Sequence, residues 1–174
     1  MSVPGADRRR ALQIANKLCF IRLPQGNDLY GLGPPVNIGN VLALLRGFPL
    51  RVCAAPEAGW SSAVTWSNGR PVCLWHDAAL SPVWQRYALA AALGHALLHR
   101  PEEGMDARRW SYGLSSHDPH AREATWFANE LLSPLHWLEP LATARRRTEQ
   151  GLADDLGVPV ECVHEQLLRL HSLG

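Results

Sequence analysis

The chain has 174 residues, nearly half of them apolar, and its 17 basic and 16 acidic residues leave a formal charge of +1. That length suits one domain, residues 1–174, with material for a real core and no need of staples. The charge balance argues against electrostatic nucleic-acid binding as the main activity. Four scattered cysteines, Cys19, Cys53, Cys73 and Cys162, include no CxxC pair, which speaks against a zinc ribbon or a disulfide framework. No apolar stretch reaches the roughly twenty residues of a membrane span. The opening MSVPGADRRR lacks the apolar core of a signal peptide. The expectation is a cytoplasmic protein with reduced thiols.

In chain order, Asp7 is placed to cap a first helix running to about Cys19, with Leu12, Ile14, Ala15 and Leu18 on its buried side. A Pro/Gly-rich passage from Pro24 to Pro35 follows, then a short helix around Val36 to Arg46. Three strand-like runs come next: Leu50 to Ala54, Ser62 to Trp66, and Pro71 to His76. Asn68-Gly69 between the last two is a strong hairpin signal, so a small antiparallel sheet is predicted. It leads into SPVWQRYALAAALGHALLHR, residues Ser81 to Arg100. Ser81 suits the N-cap, Pro82 suits the first helical position and Pro101 stops the helix. Trp84, Tyr87, Ala88, Ala91, His95 and Leu98 share one face, while Leu89, Leu93, Ala96 and Leu97 cover the other. A helix apolar on nearly every side belongs inside a domain, and His95 within it needs a partner.

From Pro101 to Ser116 the chain reads polar and irregular. His117 and His120 flank Asp118-Pro119, where the helix HAREATWFANELL begins, with Ala124, Phe127, Ala128 and Leu131 on one face. Glu123 lies one position from that stripe, and Glu130 reads as solvent-facing. Ser133-Pro134 closes this helix ahead of another, Leu135 to Arg147, whose Arg145-Arg146-Arg147 suits a helix C-terminus. The final GLADDLGVPVECVHEQLLRLHSLG gives two short helices about Gly157-Val158-Pro159, with the look of a helix-turn-helix. Asp154, Asp155, Glu161 and Glu165 crowd that segment, favouring packing or partner docking over base contact.

The chemistry concentrates on the central helix and Glu123. Zinc hydrolases often carry two histidines at i and i+4 on one helix, a glutamate after the first as general base, and a third ligand from a later helix. His95 and His99 have that spacing, but Ala96 stands where the glutamate belongs. The flanks suggest another register. RYALAAALGHALLHR resembles the active-site helix of the ImmA/IrrE family of metallopeptidases, whose pattern runs R-x-x-L-A-H-E-x-G-H-x-L-L-H. EATWFANELLSP is similar to the family's E-A-x-x-F-A-x-x-L-L-M-P segment, departing at Ser133, and LADDLGVPVECVHEQLLRL resembles its closing helices.

That resemblance implies a zincin-like α+β single domain: a small antiparallel sheet packed on a central active-site helix, with C-terminal helices. It puts Ala91 at the first histidine ligand, Ala92 at the general-base glutamate, His95 at the second ligand and Glu123 at the third. His99 becomes the histidine that trails the motif. His117, His120 and Tyr112 are cleft candidates that could steady an oxyanion, with loop and cap roles as the plainer reading. The intact form would be a zinc-dependent endopeptidase acting on a partner protein, typically a helix-turn-helix repressor, in transcription control such as a DNA-damage response. With two chemical positions lost, this chain is expected to be inactive and to bind Zn2+ weakly or not at all. Loss confined to those positions favours an engineered double-alanine variant. The alternative is a natural non-catalytic pseudoprotease that binds a repressor or antitoxin. Plainer readings stand beside these: His95 as a core histidine bonded to a carbonyl, Glu123 as a first-turn carboxylate favoured by the helix dipole, and Ala90-Ala91-Ala92 as good helix-forming sequence.

Overall fold

The computed structural model describes residues 7–19, 38–44, 51–55, 61–99, 108–111, 118–145 and 148–172. Among these, the order of elements is α1 (Arg8–Cys19), α2 (Ile38–Leu44), β1 (Arg51–Ala55), β2 (Ser62–Ser67), β3 (Arg70–Asp77), α3 (Pro82–Leu98), β4 (Arg108–Ser111), α4 (Pro119–Leu132), α5 (Leu135–Arg145), α6 (Glu149–Leu156) and α7 (Val160–His171). The α+β class is as expected, and each predicted helix lies within two residues of its expected bounds. The Pro/Gly-rich passage falls outside the described residues.

The sheet differs from expectation in two ways. It is mixed, with strand order β1-β3-β2-β4, because β1 runs parallel to β3 (Arg51 opposite Cys73, Ala55 opposite Asp77). The extra strand β4 arises where the sequence reads as irregular, and it pairs antiparallel with β2 from Ser62–Ser111 to Thr65–Arg108. β2 is buried along most of its length and is flanked by β3 and β4, so β1 joins the sheet at the outer edge of β3. The β2–β3 hairpin itself is as predicted: Asn68 and Gly69 both have positive φ, 48° and 69°, which is what a two-residue turn matched to strand twist requires.

The sheet packs on α3, and α3 in turn packs on α4, which also carries α1. The run from Ala90 to Ala96 in α3 is buried without a break, as its all-round apolar sequence demands. Ser81 holds the N-cap position, but its hydroxyl makes no capping bond. The helix ends at Leu98, two residues before the expected end, with His99 extended and its N–H donating to the His95 carbonyl. Asp118 caps α4 by accepting from the His120 N–H.

Gly94 sets the spacing between α3 and α4. A Cβ there would lie 2.9 Å from Phe127 Cδ1 and 3.1 Å from the Ala124 Cα. Phe127 is a fully buried ring and Ala124 is backbone, so neither can step aside easily.

A buried polar network fastens the C-terminal helices. Arg86 Nη1 donates to the Leu156 carbonyl at 2.8 Å and to that of Gly157, the left-handed residue that closes α6. Tyr87 Oη donates to Asn129 Oδ1 at 2.9 Å, and Asn129 Nδ2 donates to Glu165. Glu130 accepts from Gln166 and pairs with Arg169. It is buried, so the solvent-facing expectation for Glu130 is corrected: α7 covers that side of α4. Three polar residues of α7, Glu165, Gln166 and Arg169, are thus bonded to α4.

Two measurements follow from this packing. Gly94→Ala should lower the unfolding free energy by about 1–3 kcal/mol through overpacking, read by urea denaturation; a change within about 0.5 kcal/mol would contradict the contact. Burial pushes the Cys162 thiol up to about 12, outweighing the Ser133 hydrogen bond that lowers it. The folded chain therefore keeps a proton that the unfolded chain loses above the ordinary value of 9.0. Stability should be intact below that pH and fall above it, by about 1.4 kcal/mol per pH unit for one such thiol. A flat profile between pH 9.0 and about 12 would contradict this burial.

Candidate functional site

The site lies where α1, α3 and α4 meet. His95 comes from the last turn of α3, and His99 follows at its C-cap. Glu123 projects from the first part of α4, with His120 one turn before it. The close α3–α4 approach at Gly94 brings these residues together. His95 is fully buried, and His99 and Glu123 are 5% and 8% exposed.

The three form a line rather than a cup. His95 Nδ1 lies 3.0 Å from His99 Nδ1, and His99 Nε2 lies 2.9 Å from Glu123 Oε2. With Glu123 ionised, His99 Nε2–H must donate to it. A neutral His99 then accepts at Nδ1, so His95 donates from its own Nδ1–H. In that protonation state the network is a relay from His95 through His99 to the carboxylate. His120 stacks edge-on to His99, with ring centroids 4.6 Å apart and planes at 87°.

The second oxygen of Glu123 is also engaged. Oε1 accepts from the Asp7 backbone N–H at 2.6 Å. Asp7 caps α1 by accepting from the Arg10 N–H at 2.9 Å, and Arg10 Nη2 donates to the Leu98 carbonyl at 3.0 Å. The N-terminus of α1, the positive end of its dipole, thus rests on the carboxylate while Arg10 holds the last turn of α3. Asp7 was read from sequence only as a cap. Its contact with Glu123 runs through a backbone N–H, which leaves no signature in the residue pattern.

Of the residues singled out from the sequence, His95, His99, His120 and Glu123 come together. Ala91 and Ala92 lie one turn earlier on α3, at 2% and 0% exposure, within the hydrophobic core. Tyr112 and His117 lie outside the described residues.

These side chains do not fit a catalytic zinc ion. Such a site needs three protein donors converging on one point with a fourth position open. Alanine methyl groups at 91 and 92 can neither coordinate nor accept a proton. His99 uses its two nitrogens on opposite sides, toward His95 and toward Glu123, so the three side chains share no common point. Among the described residues no group of three His, Cys, Asp or Glu side chains is arranged to hold a metal ion.

A mixed sheet under a buried helix, with a histidine near its end facing a glutamate from the next long helix, is the layout of a small zincin-like domain. The family model of Peptidase_M78, the IrrE N-terminal-like domain, matches residues 50–168. The chain belongs to that family. It is therefore a metallopeptidase-like domain, from a class that acts on proteins. A comparison with curated proteins finds no match. No helix among the described residues is long and apolar enough to cross a membrane.

The relay makes a direct energetic prediction. His99→Ala and Glu123→Gln should each cost about 2–4 kcal/mol, because each leaves buried polar groups short of a partner. A double-mutant cycle in urea should return a coupling of about 1–3 kcal/mol. A coupling within about 0.3 kcal/mol of zero would contradict a shared network.

Proposed function

We propose that the chain as it stands is a catalytically silent Peptidase_M78 domain that binds a partner protein, of the helix-turn-helix repressor class, without cutting it. One observation carries this reading: the residues left at the expected metal centre are bonded to one another, and the two positions that should supply a ligand and a base carry buried methyl groups. Peptide hydrolysis of this kind needs a group that takes a proton from the attacking water, and Ala92 supplies none. Loss of a residue that merely supports a metal ligand typically costs about 10–100-fold in metal affinity, so loss of a direct ligand at Ala91 weighs more. Direct nucleic-acid binding is not part of this reading, since the charge is balanced and α7 spends Glu165, Gln166 and Arg169 on contacts within the fold.

A second reading is favoured by a specific observation: Gly94-His95, Glu123 and the flanking residues all survive around the two alanines. It takes the parent as a working zinc endopeptidase of repressors, silenced at two positions by design.

The two readings agree on the unmodified protein and part on its revertant. The unmodified chain should retain a candidate repressor on a column and leave it intact, with or without added zinc. Chelator-sensitive cleavage by that chain would overturn both readings. On the first, Ala91→His with Ala92→Glu stays inert and metal-free, because His95 and Glu123 remain bonded to His99. A revertant carrying about one zinc per chain and cutting the repressor would establish the second.

A further inference from the structure

Outside the α3–α4 site, one pair of reactive side chains stands closer than packing requires. Cys53 on β1 and Cys73 on β3 have their Sγ atoms 3.0 Å apart, and both are free thiols. Arg51 is the register partner of Cys73 on the parallel neighbouring strand. Cys53 lies two residues beyond Arg51, so both cysteines project from the same face of the sheet. A disulfide bond is about 2.05 Å long, so closure needs the sulfurs to move by about 1 Å. The strand β1 that would make this movement lies at the sheet edge, with Arg51, Val52 and Ala54 exposed.

The two thiols are unequal. Cys53 is half-buried and open to small reagents, whereas Cys73 is buried. Cys162 is elsewhere, bonded to Ser133 in the helical layer.

We propose that Cys53 and Cys73 form an oxidisable dithiol, a modification site that takes hydrogen peroxide and closes to a disulfide tying edge strand β1 to β3. Cys53 gives up its proton to solvent, and its thiolate attacks one peroxide oxygen. An S–O bond forms, the O–O bond breaks, and the departing hydroxide takes up a proton to become water. Cys73 then attacks the Cys53 sulfur. The S–S bond forms as the S–O bond breaks, and hydroxide leaves with the Cys73 proton as a second water. Two electrons pass from the thiol pair to the peroxide. Burial and the neighbouring Cys53 push the Cys73 thiol up to about 12, with Arg51 pulling it back, which makes Cys53 the attacking thiol and Cys73 the resolving one. The assignment is independent of any reading of the α3–α4 site.

The test uses the full chain, reduced and then treated with a small excess of hydrogen peroxide. Two of its four thiols should disappear with a mass loss of two hydrogens, and peptide mapping should join Cys53 to Cys73. Dithiothreitol should reverse the change. The oxidised form should melt several degrees higher, since the bond closes a loop within the chain. Cys73→Ser should trap Cys53 as a sulfenic acid captured by dimedone, and Cys53→Ser should leave Cys73 reacting at least about tenfold more slowly than Cys53 does. Bridges to Cys19 or Cys162, or overoxidation of Cys53 beside an untouched Cys73, would overturn the proposal. The mapping on the unsubstituted chain decides it even if a serine variant misfolds.

Discussion

The carboxylate of Glu123 is the junction on which the helical layer depends. One oxygen receives the backbone N–H that opens α1, and the other receives the imidazole that closes α3. Glu123 itself belongs to α4, so a single side chain connects three helices. A buried carboxylate is costly unless hydrogen bonds replace its water, and here they come from a backbone donor at a helix N-terminus and a histidine. The arrangement relies on Gly94, whose missing Cβ lets α3 and α4 approach closely enough for His95, His99 and Glu123 to line up.

This junction explains how a metallopeptidase-family fold accommodates a buried histidine and a buried glutamate between α3 and α4. A histidine and a glutamate buried with nothing between them would be a liability in an apolar helix pair. His99 removes that liability by bridging them with both ring nitrogens, and α1 covers the remaining oxygen. The alanines at 91 and 92 extend the hydrophobic core along the same helix. These contacts are part of what holds the fold together.

Much of the fold was legible in the sequence, for physical reasons that differ from element to element. The Asn68-Gly69 hairpin follows from the need for two positive φ angles, and the central helix follows from an apolar run bounded by Pro82 and Pro101. The parallel pairing of β1 was not legible, because strand order and direction depend on how the chain between β1 and β2 crosses the sheet, which no local residue pattern marks. Strand β4 itself, Arg-Arg-Trp-Ser, carries no alternation to mark it. Glu130 read as exposed because its partners, Gln166 and Arg169, are more than thirty residues away. At the site, the grouping of His95 with Glu123 came from family resemblance, while the bridging role of His99 needed the geometry. The contact from Asp7 could not be read at all, since any residue but proline offers the same N–H.

The junction at Glu123 requires His95 and His99 to bond to each other and to the carboxylate rather than to a metal ion. Nitrogen-15 NMR of the histidine side chains during a zinc titration of the unmodified chain tests that most directly. The network predicts His95 protonated at Nδ1 and His99 at Nε2, with both signals unmoved as zinc is added. Saturable shifts of the His95 and His99 signals at about one zinc per chain would contradict it.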